Sequence, residues 1–101
     1  TLPLMKIGGK GVISVVSNII PEEIHNLAEY ALKGDFAKAE ELHNKLMPVF
    51  KGMFIETNPI PIKAALAMKE LIKESYRLPM CEMQAENRIK LRGILQDLKI
   101  I

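Results

Sequence analysis

The chain has 101 residues, 49% of them apolar, with a mean hydropathy of +0.10, which is enough material for one unit with a buried core. Fourteen Lys and Arg against twelve Asp and Glu leave a net charge of +2, with no single-sign block, so no nucleic-acid partner is expected, since that needs a concentrated basic stripe. The longest apolar run, GVISVV, is far short of the about 20 residues that span a bilayer, and no secretory signal is visible, so no membrane partner is expected either.

In chain order, TLPLMKIGG reads as the last turns of a helix that finishes at Gly8, a residue able to take the left-handed conformation. The chain thus opens mid-element and without an initiator methionine, which fits a processed product or a cut piece. Residues 11 to 16, GVISVV, are mostly β-branched and apolar, without polar alternation, and predict a strand covered on both faces. Residues 21 to 33 predict a helix, with Pro21 at its first position, Glu22 and Glu23 in the first turn, Ile24, Leu27, Ala28, Ala31 and Leu32 on one face, and Gly34 as its stop. Asp35 is a suitable N-cap for the next helix, whose inward stripe is Phe36, Ala39, Leu42, Leu46, Phe50 and Met53. Pro48 lies inside that stripe and predicts a kink or two shorter helices.

Pro59 and Pro61 predict a stiff spacer in which Asn58 and Ile60 are extended. Pro61 then opens a helix, PIKAALAMKELIKES, with Ala65, Met68, Leu71 and Ile72 on its apolar face. A final helix follows YRLPM, carrying Leu91, Ile94, Leu95, Leu98 and Ile101 on one side and weakened at Gly93.

One strand cannot make a sheet. Its backbone groups need partners, each costing roughly 1–3 kcal/mol if buried and unpaired, so partner strands are expected outside these residues. Helix, glycine turn, buried strand and helix is the order of a parallel α/β protein such as a (β/α)8 barrel. There the active site faces the carboxyl end of the strand, here Val15, Val16, Ser17 and Asn18, while Gly8, Gly9, Lys10 and Gly11 lie at the opposite, stabilising face.

Apparent motifs weigh little against this. GGKG follows a helix and precedes a strand, the wrong order for a phosphate cradle. The stretch EYALKGDFAKAEELHNKLMP resembles part of a tetratricopeptide repeat, but no second turn signal recurs at 34 residues; a single helical hairpin is the simpler reading, and a stand-alone helical interaction module stays open. Lys10 and Lys63 read as surface charges rather than Schiff-base amines. Cys81, the only cysteine, permits no intrachain disulfide, suits a reducing cytoplasm, and reads as an ordinary thiol. His25 and His43 fit no metal-site pattern.

Four stretches in order, GGKGVISVVSNIIP, GDFAKAEELHNKLMPVF, FIETNPIPIKAALAMKEL and YRLPM, closely resemble the carboxyl-terminal third of the 4-hydroxy-tetrahydrodipicolinate synthase (dihydrodipicolinate synthase) family, from Thr1 to Ile101. The resemblance implies a class I Schiff-base lyase on a (β/α)8 TIM barrel followed by a helical domain. Such an enzyme condenses pyruvate with aspartate semialdehyde in lysine and diaminopimelate biosynthesis, without a cofactor, usually as a cytoplasmic homotetramer. It makes residues 1–34 the end of helix 7, strand 8 and helix 8, and residues 35–101 the appended helical domain. Ile13 matches the position that contacts pyruvate through its backbone. The Schiff-base lysine and the other catalytic groups have no counterpart in this chain, which by itself is expected to be inactive. Leu2 to Ile7 matches a segment at a subunit contact. A sister pyruvate-dependent aldolase such as N-acetylneuraminate lyase is the alternative within the same superfamily.

Overall fold

The computed structural model describes residues 2–101, which form five α-helices and one 3-10 turn: α1 (Leu2–Lys6), the turn Val16–Asn18, α2 (Pro21–Leu32), α3 (Phe36–Gly52), α4 (Ile60–Met68) and α5 (Ala85–Asp97). They divide into two compact units, one running to Met47 and the other from Pro48 to Ile101, with α3 passing from the first into the second.

In the first unit α2 packs against α1 and against the 3-10 turn. The buried side chains are Leu2 and Met5 of α1, Val16, Ile19 and Ile20 around the turn, Ile24, Leu27 and Ala31 of α2, and Ala39 and Leu46 of α3. Three of the five apolar residues expected on the inner face of α2 are thus fully buried; Ala28 is half-buried, and Leu32 stays 51% exposed. Asp35 caps α3 as expected, its Oδ1 accepting the Lys38 N–H at 3.3 Å.

Both glycines expected to stop helices do so. Gly8 has φ +112° and Gly34 has φ +79°. After α1, Gly9 N–H donates to Leu4 O at 2.9 Å and Gly8 N–H to Met5 O at 3.2 Å; after α2, Asp35 N–H donates to Tyr30 O at 2.9 Å and Gly34 N–H to Ala31 O at 3.1 Å. This paired pattern is the Schellman motif, which satisfies the last carbonyls of a helix. Gly9 is required for a second reason: a Cβ there would stand 2.9 Å from Leu4 O.

The expected strand is not formed. Among the described residues there is no strand; residues 9–14 have no regular structure, and Val15 and Val16 already turn into the 3-10 segment, Val15 at φ −59°, ψ −42°. A strand exists only where a neighbour pairs with its backbone, and no described residue does so. The chain is therefore helical, and any α/β character has to come from segments it does not carry.

In the second unit α4 packs against α5. Its core holds Val49 of α3, Met53 just beyond it, Ile60, Ile62, Ala64 and Ala65 of α4, Met83, and Leu91 and Leu95 of α5. α3 approaches α5 closely, since a Cβ at Gly52 would lie 3.2 Å from Ile94 Cδ1. Of the two outcomes expected at Pro48, two shorter helices do not form, and α3 runs through it as one 17-residue helix. Pro48 and Asn44, the pair whose backbone bond the proline deletes, are both exposed, so water can reach the freed carbonyl.

The helix after the two prolines departs from expectation at both ends. Ile60 is helical rather than extended, Pro59 is the N-cap and Pro61 the second helical residue; the steric push of Pro61 on Ile60 is outweighed by burial of Ile60, Pro61 and Ile62. The Asn58–Pro59 and Leu78–Pro79 peptides are cis. α4 then stops at Met68, not at Ser75, because Glu70 takes φ +61°. Glu70 N–H donates to Ala67 O at 2.9 Å and Leu71 N–H to Leu66 O at 3.0 Å, a Schellman cap without a glycine. Leu71 and Ile72 are consequently 61% and 40% exposed instead of lying on an apolar face. α5 closes in the same way at Lys99, φ +56°, leaving Ile101 beyond the helix.

Candidate functional site

Two irregular segments carry the features a site could be built from. The first is residues 9–14. Met5, Val16 and Ile19 anchor its flanks in the first core, while Val12 is 41% and Ile13 105% exposed. From Lys10 to Val15 no backbone N–H donates to another backbone group among the described residues. The carboxyl end of the segment is held locally: Ser17 Oγ donates to Ser14 O at 2.6 Å and Asn18 Nδ2 to Val15 O at 3.0 Å. These two bonds belong to the backbone turn that aims the chain into α2, and they leave Ile13, the residue singled out by resemblance, with its main chain open.

The second is residues 71–83, between α4 and α5, and it is held by side chains. Arg88 of α5 donates twice to the Glu74 carboxylate, from Nη1 to Oε1 at 2.7 Å and from Nη2 to Oε2. Tyr76 Oη donates to Glu74 Oε2 at 2.9 Å. Lys63 Nζ of α4 donates to Ser75 O at 3.0 Å and stands 5.7 Å from the centre of the Tyr76 ring. Beyond the segment, Glu56 accepts from Gln84 N–H at 3.0 Å and from Asn87 Nδ2 at 2.9 Å. A carboxylate from 28 residues upstream thus stands where α5 presents unpaired amides and the positive end of its dipole.

Electrostatics follow from these contacts. The hydrogen bonds from Arg88 hold the Glu74 carboxyl below the usual carboxylate range, and the same bonds raise the Arg88 guanidinium. Burial, then the bond to Glu74, pushes the Tyr76 phenol upward. Burial also lowers the His43 imidazole. A doubly donated carboxylate whose affinity for protons is lowered has no proton to give or take near neutrality, so the node is suited to holding chain in place and unsuited to acid–base work.

The remaining candidates are scattered. Lys10 and His25 are exposed, and Cys81 is an exposed free thiol. Lys63 is half-buried and engaged with Ser75 rather than a freely solvated charge. GGKG closes α1 and precedes no helix. Among the described residues no group of three or more His, Cys, Asp or Glu could hold a metal, and no helix is long and apolar enough to cross a membrane. Sequence reasoning missed the node, because Glu74 and Arg88 are 14 residues apart and on different elements, beyond any helical spacing rule.

These features describe a class of chain rather than a complete centre: a helical segment with capped ends, one open apolar stretch and no catalytic cluster among the described residues. The chain belongs to the dihydrodipicolinate synthetase family, whose model matches residues 1–98. It is 52% identical over its whole length to the 4-hydroxy-tetrahydrodipicolinate synthase of Hydrogenobaculum sp. (strain Y04AAS1), and it spans 35% of that relative. The fold superposes on the crystal structure of dihydrodipicolinate synthase from Aquifex aeolicus with a TM-score of 0.97 at 48% identity, covering 99% of this chain and 34% of that one. The chloride-inhibited dihydrodipicolinate synthase of Acinetobacter baumannii, solved in complex with pyruvate, superposes with a TM-score of 0.96 at 37% identity, over 99% of this chain and 34% of that one. The chain thus spans about a third of the length of the relatives it matches.

Proposed function

We infer that this chain is the carboxyl-terminal part of a 4-hydroxy-tetrahydrodipicolinate synthase, a class I lyase that joins pyruvate, held as a lysine Schiff base, to aspartate semialdehyde in lysine and diaminopimelate biosynthesis. The Schiff-base lysine lies outside these residues, and the chain alone is inactive. Residues 1–34 supply the last strand and helices of a (β/α)8 barrel, with residues 11–16 becoming the eighth strand on assembly, and residues 35–101 form the appended helices of a cytoplasmic homotetramer. Ile13 lines the barrel mouth and meets pyruvate through its main chain, which is why an apolar side chain serves at a polar substrate.

The observation that carries this reading is the open stretch itself. Residues 9–14 present exposed Val12 and Ile13 and backbone amides that donate to no described backbone group, overlapping residues 11–16, where the sequence alone predicts a strand buried on both faces. A chain that superposes so closely on one third of an enzyme, and leaves open the stretch predicted to be sheet, fits the role of a part. The relative solved with pyruvate supports the substrate.

Reconstitution tests it. This chain is co-expressed with the complementary two-thirds of a relative such as the Aquifex aeolicus enzyme, and condensation of pyruvate with aspartate semialdehyde is assayed. Activity is expected only when both parts are present, with borohydride and pyruvate labelling the partner part alone. Covalent labelling of this chain by itself, or an assembled enzyme acting on N-acetylneuraminate and not on aspartate semialdehyde, contradicts the proposal.

A further inference from the structure

Residues 71–83 have no regular structure and are largely exposed, yet they are not adrift. Of their side chains only Met83 is fully buried, at 4% exposure, so apolar burial contributes little along most of the segment. What ties it down is polar. Arg88 grips Glu74 through both guanidinium nitrogens, Tyr76 closes on the same carboxylate, and Lys63 holds the carbonyl between them. Glu74 and Arg88 are 21% and 29% exposed, shielded enough for a bidentate charged pair to exceed an ordinary surface ion pair. The ground beneath is independent of this node: α4 and α5 pack on each other, and Ile62, Ala64, Ala65, Leu91 and Leu95 on them are all buried.

We propose that residues 71–83 form a strap fastened to the second unit by a polar latch, Glu74 gripped by Arg88 with Lys63 holding the adjoining Ser75 carbonyl, and that the strap opens as a unit while α4 and α5 stay packed. Stability within a structure is divided into such cooperative units, and those with few buried apolar contacts open first. Arg88 is the post of the latch because it stands on a helix fixed by Leu91 and Leu95, and its planar fork matches a carboxylate in a way an ammonium does not. The strap carries Lys73, Arg77 and Cys81, all exposed, so its release changes how freely three reactive side chains move.

Limited trypsin digestion of the full chain reads the latch directly. A protease needs an extended, detached segment, so cleavage after Lys73 and Arg77 reports strap opening, and cleavage after Lys90 reports loss of α5. Arg88→Ala and Glu74→Gln are each expected to speed cleavage after Lys73 and Arg77 by about tenfold or more, the scale of losing hydrogen bonds to a charged group. Cleavage after Lys90 should stay within about twofold, and the double variant should add little to the faster single one, as for partners in one interaction. Glu74→Gln alters a residue outside every helix, so it remains informative if Arg88→Ala unfolds. A spin label on Cys81, the only thiol in the sequence, should lose motional restriction in the same variants. The proposal is overturned if the unmodified chain is already cut at Lys73 and Arg77 as fast as the variants, if neither variant changes cleavage or label mobility, or if Lys90 becomes cleavable in step with the strap.

Discussion

Residues 9–14 and residues 71–83 are both irregular, and they fail to form regular structure for opposite reasons. The first segment holds the opening part of the stretch 11–16 predicted as a strand, and it pairs with nothing: Val12 and Ile13 are exposed and the amides from Lys10 to Val15 meet no backbone acceptor among the described residues. The second has its neighbours within the same unit, but they are side chains, so the segment is fixed without a ladder. Irregular backbone is therefore not one condition. In one segment no described residue pairs with the backbone; in the other, side-chain contacts hold it.

The largest effect on this contrast comes from the base on which the second segment is fastened. Leu91→Ala empties a fully buried site, 0% exposed, and is expected to cost about 2–5 kcal/mol; denaturant titration followed by a probe in the second unit checks it. Removing the latch is the next step down. Arg88→Ala is expected to cost about 1.5–3 kcal/mol, the range for hydrogen bonds to a charged group. The same latch has a sign in pH. The folded-state carboxyl of Glu74 is depressed, so its contribution is complete above the ordinary carboxylate range and is lost as pH falls through the folded-state value. An acid titration of the Glu74→Gln variant should lack that loss.

Smaller still are the helix ends. Glu70 and Lys99 sit at φ +61° and +56°, where a side chain costs roughly 1–2 kcal/mol. Glu70→Gly and Lys99→Gly are each expected to raise stability by about 1 kcal/mol, less the entropy that glycine adds to the unfolded chain, and thermal melting reads the gain. Ile13→Ser sharpens the comparison from the other side: in the chain alone it should fall within about 0.5 kcal/mol of the parent, as for an exposed side chain. In a reconstituted synthase the same change should cost far more. The smallest effect is that of His43, whose imidazole is lowered from 6.5 by burial. Its protonation opposes folding, so stability should slip as pH falls below that ordinary value and recover as pH rises, and His43→Gln should flatten this part of the curve.

How much of this was legible in the sequence depends on the range of the signals. α2 was readable because Pro21, Glu22, Glu23, the apolar stripe and Gly34 all speak within one helix, and the Asp35 cap acts three residues away. The end of α4 was not readable, since Glu70 takes a glycine's conformation without being one and the apolar stripe continues through Leu71 and Ile72. At Pro48 the alternative of two shorter helices does not form, since α3 continues through a proline whose deleted bond lies at exposed residues. Ile60 became helical because burial decided against a local preference. Val49 was missed on α3, although it lies 0% exposed in the second core, because the stripe read through Phe50 instead. The Glu74 node was invisible, as two residues meet there from separate elements. The strand expected over residues 11–16 is not formed, because pairing needs a neighbouring strand, which the described residues do not supply, and Val15 and Val16 turn into the 3-10 segment instead.

Hydrogen exchange at the amides of residues 10–15 addresses the main claim most directly. In the chain alone they should exchange as fast as an unstructured peptide, and on assembly with the complementary two-thirds of a synthase they should become protected by orders of magnitude. Strong protection of these amides in the isolated chain, or none after an active enzyme has formed, would contradict it.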